Sequence, residues 1–376
     1  MKITNIAASP IKLHMKQPFV ITNGKFYDLY FVLVKIQTDE GIIGYGEAIP
    51  AWEVTGETAK SVIGCVELFT NTSLLGISLI GQDISSLEKV ESTISILYPE
   101  NSPSFVHGNA SAKAAIEQAI LDAYGKYISK PIYEIYGGTR KPIPFTKNIS
   151  IHPIEETLQE VQKGIDENFG IIRLKIGLEH YEGKASYERD IEVIYQAKKM
   201  IRKSQKNITL VADANQGLRD VSTSIAFCRE IEGCLGWLEQ PILADNIEGF
   251  LELKKHVAIP LMADESLISP YAVRFLVMNN AVDYINIKLM KSGGIVQARK
   301  IIQFAREYNI KCQIGSMFGS IVGESMGCQL YMIENDIIST DLNSFDLLKN
   351  QIATGLEIHN NKIYVSDQPG CGIQLL

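Results

Sequence analysis

The chain has 376 residues, 46% hydrophobic and 21% charged, with a formal net charge of −7 from 36 basic and 43 acidic side chains. The length suits a barrel of roughly 200–250 residues with a smaller domain beside it, and the acidic balance argues against nucleic acid or an anionic membrane as the main partner. No run of 18 apolar residues and no basic-then-apolar start is present, and the six cysteines and six histidines lack disulfide or zinc spacing, so the expectation is a cytoplasmic protein with buried thiols.

The N-terminal part reads as strand-rich. Residues 29–37 and 42–47 flank Thr38-Asp39-Glu40-Gly41, a hairpin signal with glycine where a positive φ is convenient. Residues 53–90 read as helical, and 110–126 as a strong helix with Ala115, Ile116, Ala119, Ile120 and Ala123 on one face. Tyr136-Gly137-Gly138 stops the segment before it. After Pro142, short apolar runs at 171–176, 208–212, 235–238, 259–263, 284–289 and 313–315 alternate with amphipathic stretches of helical length, which implies βα units around a parallel sheet. Residues 357–376 are strand-like again and return to the first domain in this reading. The expected fold is therefore α/β: a (β/α)-barrel over 126–349, with an α+β capping domain over 1–125 that 350–376 completes.

Buried parallel strands should be apolar, so a charge at a strand's end needs a reason. Residues 171–177 hold Arg173 and Lys175, and the next four strands run into Asp213, Glu239, Asp264 and Lys288. Successive spacings of 26, 25 and 24 residues from Asp213 to Lys288 match one βα unit each, since eight units take about 250 residues. Three carboxylates and a lysine then stand on four consecutive strands at the C-terminal mouth, with Asn215 and Glu265 beside them. Converging carboxylates repel unless a cation sits among them, and an all-oxygen site that leaves room for substrate suits Mg²⁺, one per subunit, with Mn²⁺ and Ca²⁺ as the other hard cations. Lys175 and Lys288 flank the three acidic strands, across the mouth from each other. Lys254, Lys255, Lys291 and most other lysines read as solvated.

These residues, together with Gly44-Tyr45-Gly46-Glu47-Ala48, Ala114 to Lys126, Asp213-Ala214-Asn215, Glu239-Gln240-Pro241 and Asp264-Glu265-Ser266, resemble the enolase superfamily, in the subgroup of muconate lactonizing enzymes and dipeptide epimerases. The resemblance implies Lys175 and Lys288 as paired acid–base catalysts and Asp213, Glu239 and Asp264 as magnesium ligands. Arg173 replaces the first lysine of the subgroup's Lys-x-Lys motif. The implied activity is epimerisation of a dipeptide of the L-Ala-D/L-Glu kind. N-acylamino-acid racemisation, or muconate cycloisomerase or o-succinylbenzoate synthase chemistry on the same scaffold, are the alternatives. Relatives carry Asp-x-Asp after the eighth strand, where this chain has Asp341-Leu342-Asn343; Asp341 is expected to meet a substrate ammonium. Ser316 and Asn148 are placed against substrate, and Lys25, beside Gly24, is a candidate reader of an acidic side chain. The glutamate that often follows Gly-Ser-Met on the seventh strand is Gly319 here. The implied partner is a small dipeptide, with no nucleic acid and no membrane; a homo-oligomer is compatible with the sequence. A Schiff-base aldolase would not need the three carboxylates, and a binding protein on a dead barrel would not keep every group the chemistry requires.

Overall fold

The computed structural model describes residues 1–22, 24–70, 78–98, 108–177, 180–181 and 184–376. Its first layer is an antiparallel sheet of Ile3–Ile21, Gly24–Thr38 and Ile43–Ala48. The hairpin expected at 38–41 is present, with Gly41 at φ 76° and the last two strands in register from Val32↔Ala48 to Gln37↔Ile43. The long first strand went unread because its apolar residues are spread among solvent-facing polar ones. The helix expected across 53–90 is not continuous. Among the described residues it is two helices, Ala59–Thr70 and Leu87–Ser95, and between them the chain from Ser78 is irregular, with Leu79 and Ile84 buried.

Helix Ala110–Tyr127 runs two residues past the boundary expected at 125/126 and is buried on every side from Ala110 to Gly125. Gly44 and Gly46 let the third strand lie directly on it: a Cβ at either would stand 2.0 Å from a carbonyl oxygen of Ala119 or Ala115. The buried polar residues of this helix tie the layers together. Glu117 accepts from the amides of Ile295 and Val296 in a barrel helix, Gln118 from Glu47 N, and Asp122 from Tyr45 N and Cys371 N. Gln118 and Asp122 are bonded at both ends of their polar groups, while Glu117 uses Oε1 for both amides and leaves Oε2 without a partner.

Eight parallel strands follow in sequential order: Lys147–Ile149, Ile171–Lys175, Thr209–Asp213, Leu238–Glu239, Leu261–Ala263, Tyr284–Ile287, Lys311–Ile314 and Ile337–Thr340. Thr146 N donates to Thr340 O at 2.9 Å, joining the start of the first strand to the end of the eighth. Helices separate the strands, several opened by a side-chain cap as at Asp220, Asn246 and Ser269. In place of a helix the eighth strand is followed by the 3₁₀ turn Ser344–Leu347, which makes this a modified barrel. The terminal hairpin Leu356–His359 and Lys362–Val365 pairs with Ile143–Pro144, while Gly370 and Cys371 reach helix Ala110–Tyr127. No helix among the described residues is long and apolar enough to cross a membrane.

Candidate active site

The parallel register sets the site. Lys175 pairs with Asp213, and Asp213 with Glu239, so neighbouring strands deliver their last residues to one level. Asp213, Glu239 and Asp264 are all buried and present oxygens within 4.8 Å of one another. Lys175 Nζ donates to Asp213 Oδ2 at 2.5 Å and to Asn215 Oδ1 at 3.1 Å. On the other side Lys288 Nζ stands 2.6 Å from Asp264 Oδ2. Asn215 holds φ 41°, and its amide group donates to Glu265 Oε1 at 3.1 Å, which explains why these two residues accompany the acids.

The electrostatics mark a place for a cation. Burial first, then the charges of Asp213 and Asp264, push Glu239 up to about 8 against the pull of Arg173. Its Oε1 accepts from Asn286 Nδ2 at 2.6 Å, but Oε2 has no hydrogen bond although the residue is fully buried. The Arg173 guanidinium approaches this oxygen at 3.3 Å without a hydrogen bond and is shared with Asp341 and Gln313, which leaves a buried carboxylate oxygen short of donors. The donor set, three carboxylates and no nitrogen or sulfur, fits a hard divalent cation such as Mg²⁺. Burial lowers the Lys288 pKa, yet Asp264, Glu265 and Glu239 together outweigh it and hold this lysine above its ordinary value.

Arg173 and Asp341 form a buried ion pair. The other Arg173 nitrogen donates to Gln313 Oε1 at 2.5 Å and lies 3.3 Å from Glu239 Oε2. Asp341 also accepts from Gln313 Nε2 at 3.0 Å and Asn148 Nδ2 at 3.4 Å. Its carboxylate is thus already met by donors of the protein itself. A cavity of about 370 Å³ opens above these groups, and Asn148, Arg173, Lys175, Asp341, Asn343 and Ser316 all line it. From the capping sheet come Phe26, Asp28 and Tyr30, and from the following loop Trp52 and Glu53. Lys25 is not brought in. Strand alternation points it away from the face of Phe26 and Asp28, and its ammonium lies over the Tyr27 ring at 5.3 Å.

Lys291 is the clearest departure from the sequence reading. It is buried, its ammonium ion-paired with Asp264 Oδ1 and donating to the carbonyls of Asp264 and Asn286. The one-turn helix Leu289–Ser292 folds it back beneath the strand ends, which spacing alone did not indicate. Lys291→Met should cost about 3–5 kcal/mol in urea unfolding, as when one partner of a buried pair is removed; a change below about 1 kcal/mol would return it to the solvated class. Gln313 and Asn286 were also missed. Their signal was a polar residue at an inward position of a barrel strand.

Residues 3–137 match the family described as mandelate racemase / muconate lactonizing enzyme, N-terminal domain, and residues 156–376 match enolase C-terminal domain-like. The N-succinyl-L-Arg/Lys racemase of Bacillus cereus is 32% identical over 377 residues, covering 100% of this chain and 96% of that protein. The L-Ala-D/L-Glu epimerase of Bacillus subtilis is 29% identical, covering 99% and 97%. Among solved structures, a dipeptide epimerase of Cytophaga hutchinsonii complexed with Mg and D-Ala-L-Val has a TM-score of 0.86 at 26% identity, over 100% of this chain and 96% of that one.

Proposed function

This chain is an isomerase of the mandelate racemase / muconate lactonizing enzyme family in the enolase superfamily, and we propose that it is a cytoplasmic, Mg²⁺-dependent enzyme that moves a proton at the carbon between a carboxylate and an acylated nitrogen. The observation that carries this reading is the placement of two lysines against different carboxylates of one cluster, Lys175 on Asp213 and Lys288 on Asp264. Asp213, Glu239 and Asp264 would hold the ion, which when bound supplies positive charge against the substrate carboxylate and stabilises the negative charge that builds there. The rest falls to the chain itself. One lysine must be neutral to take the proton, and the other must keep its proton to return it from the opposite face. Either can start, so both configurations at that carbon are substrates. Arg173, paired with Asp341, keeps a permanent cation beside Lys175 without competing for the proton.

The acyl group is that of a dipeptide in the first reading, with Asp341 facing the substrate ammonium. One observation favours the second, N-acylamino-acid racemisation: Asp341 is already ion-paired with Arg173. The capping wall bears on the side chain instead, since among the described residues it carries acids at Asp28 and Glu53 and no cation. The preference for an acidic side chain rested on Lys25, which lies outside the cavity lining. Asp28 is paired with Lys12 and His14, leaving Glu53 to favour a neutral or cationic substrate side chain. The test is α-proton exchange in D₂O with Mg²⁺ across Ala-Glu, Ala-Lys, N-acetyl and N-succinyl amino acids. The Arg173–Asp341 pair predicts that acylating the amine costs less than about tenfold in kcat/KM, under 1.4 kcal/mol. A loss above about 100-fold would restore the ammonium contact, and preference for Ala-Glu over Ala-Lys would overturn the reading of Glu53.

A further inference from the structure

Behind the cavity wall near Lys288 sits a carboxyl group that the acid–base chemistry leaves unassigned. Glu324 stands in the first turn of helix Ile321–Ile333 and is 2% exposed. Its Oε1 is the meeting point of three donors: the hydroxyl of Ser316, the hydroxyl of Ser344 and the amide of Gly319 at 2.9 Å. The two serines come from different loops, after the seventh and eighth strands, and both line the cavity that also holds Lys288. Their hydroxyl oxygens lie 3.1 Å apart. Ser316 further accepts from Phe318 N at 3.0 Å and Gly319 N at 3.3 Å, so its oxygen is held from the loop side as well.

Gly319 shows why the carboxyl comes from the helix. A Cβ built there would stand 3.0 Å from Glu324 Oε1 and 3.0 Å from Ile49 Cδ1. The Glu324 carboxyl therefore fills the space that a side chain at 319 would enter. We infer that Glu324 is a positioning residue for the proton transfer, clamping the Ser316 and Ser344 hydroxyls into one fixed polar face of the cavity beside Lys288. Burial, against these hydrogen bonds, pushes its pKa up to about 8, which agrees with a carboxyl that acts as the acceptor at the centre of the cluster rather than as a free charge. Without it, two loop hydroxyls lose their common anchor, and misplacing groups around reacting atoms by about 1 Å can cost about 100-fold in rate.

The kinetic part of the test rests on the proposed function, so a second readout does not. On the best substrate of the exchange screen, Glu324→Ala should lower kcat by about 100-fold with KM little changed. Glu324→Gln, whose carbonyl still accepts from both serines, should keep most of kcat, and Gly319→Glu added to Glu324→Ala should recover much of it. Because Glu324 acts through the serines, adding Glu324→Gln or Glu324→Ala to Ser316→Ala/Ser344→Ala should cost little more. Wild-type kcat in folded Glu324→Ala, or full additivity with the serine pair, would overturn the clamp. Should Glu324→Ala not fold, the serine pair compared with and without Glu324→Leu, which removes the acceptor but fills the space, decides by the same rule. Crystal structures give the independent readout. Ser316 and Ser344 should leave their wild-type rotamers in Glu324→Ala, or in Glu324→Leu if that variant alone crystallises. Unchanged rotamers overturn the clamp whatever the substrate proves to be, while an inactive wild type across the screen counts against the function alone.

Discussion

Lys288→Ala and Lys175→Ala should each stop net epimerisation, with kcat falling by about 10²–10⁴-fold or more, the range for a positioned acid or base. Inversion needs a proton taken from one face and returned on the other, and in the proposed mechanism each lysine serves one face. The two variants should differ in exchange. With Lys288 gone, Lys175 still approaches from the side of Asp213, at 2.5 Å from its carboxylate; with Lys175 gone, Lys288 approaches from the side of Asp264. Each variant should therefore exchange the α-proton of one stereoisomer with D₂O and leave the other untouched, with opposite preferences. Epimerisation near the wild-type rate in either variant would end the two-base assignment. Exchange of the same stereoisomer by both would place the lysines on one face.

Much of this arrangement was legible in the sequence because barrel strands repeat at a nearly constant interval. Asp213, Glu239, Asp264 and Lys288 kept phase over four units, and strand pairing such as Glu239↔Met262 and Met262↔Tyr284 converts that phase into proximity. What the sequence withheld depends on side-chain reach and on contacts remote in the chain. Arg173 joins Asp341 across 168 residues, so its presence in the Lys-x-Lys position could be read but its partner could not. Lys291 lies three residues past Lys288 and looked like a surface lysine; one helical turn buried it. Lys25 failed for the opposite reason, since one step along a strand exchanges one face for the other. The first strand, Ile3–Ile21, stayed unread because its pattern of buried and exposed residues is irregular, with register shifts at Ile3/Asn5 and His14/Phe19.

Removing the cation should be as damaging as removing a lysine. Chelation is expected to abolish activity and added Mg²⁺ to restore it, because Asp213, Glu239 and Asp264 place three carboxylates within 4.8 Å of one another, and the lysines and arginine paired with them do not replace the charge that a bound cation would bring to the substrate carboxylate. Glu239→Gln isolates the point. The side chain keeps its shape, and its carbonyl can still accept from Asn286, which donates to Glu239 Oε1 at 2.6 Å. Its amide, however, must face either the ion or Arg173, which stands 3.3 Å from Oε2, and it repels both. The variant should fold with wild-type circular dichroism while Mg²⁺ affinity by titration calorimetry drops by more than the roughly 10–100-fold typical of losing a group that only supports a ligand. Activity should fall with occupancy and recover in part at high Mg²⁺. Unchanged Mg²⁺ affinity in folded Glu239→Gln would remove Glu239 from the ligand set, and full turnover by chelated wild-type protein would remove the metal from the chemistry altogether, leaving Arg173 and the two lysines, among the described residues that line the cavity, to supply positive charge to the substrate carboxylate.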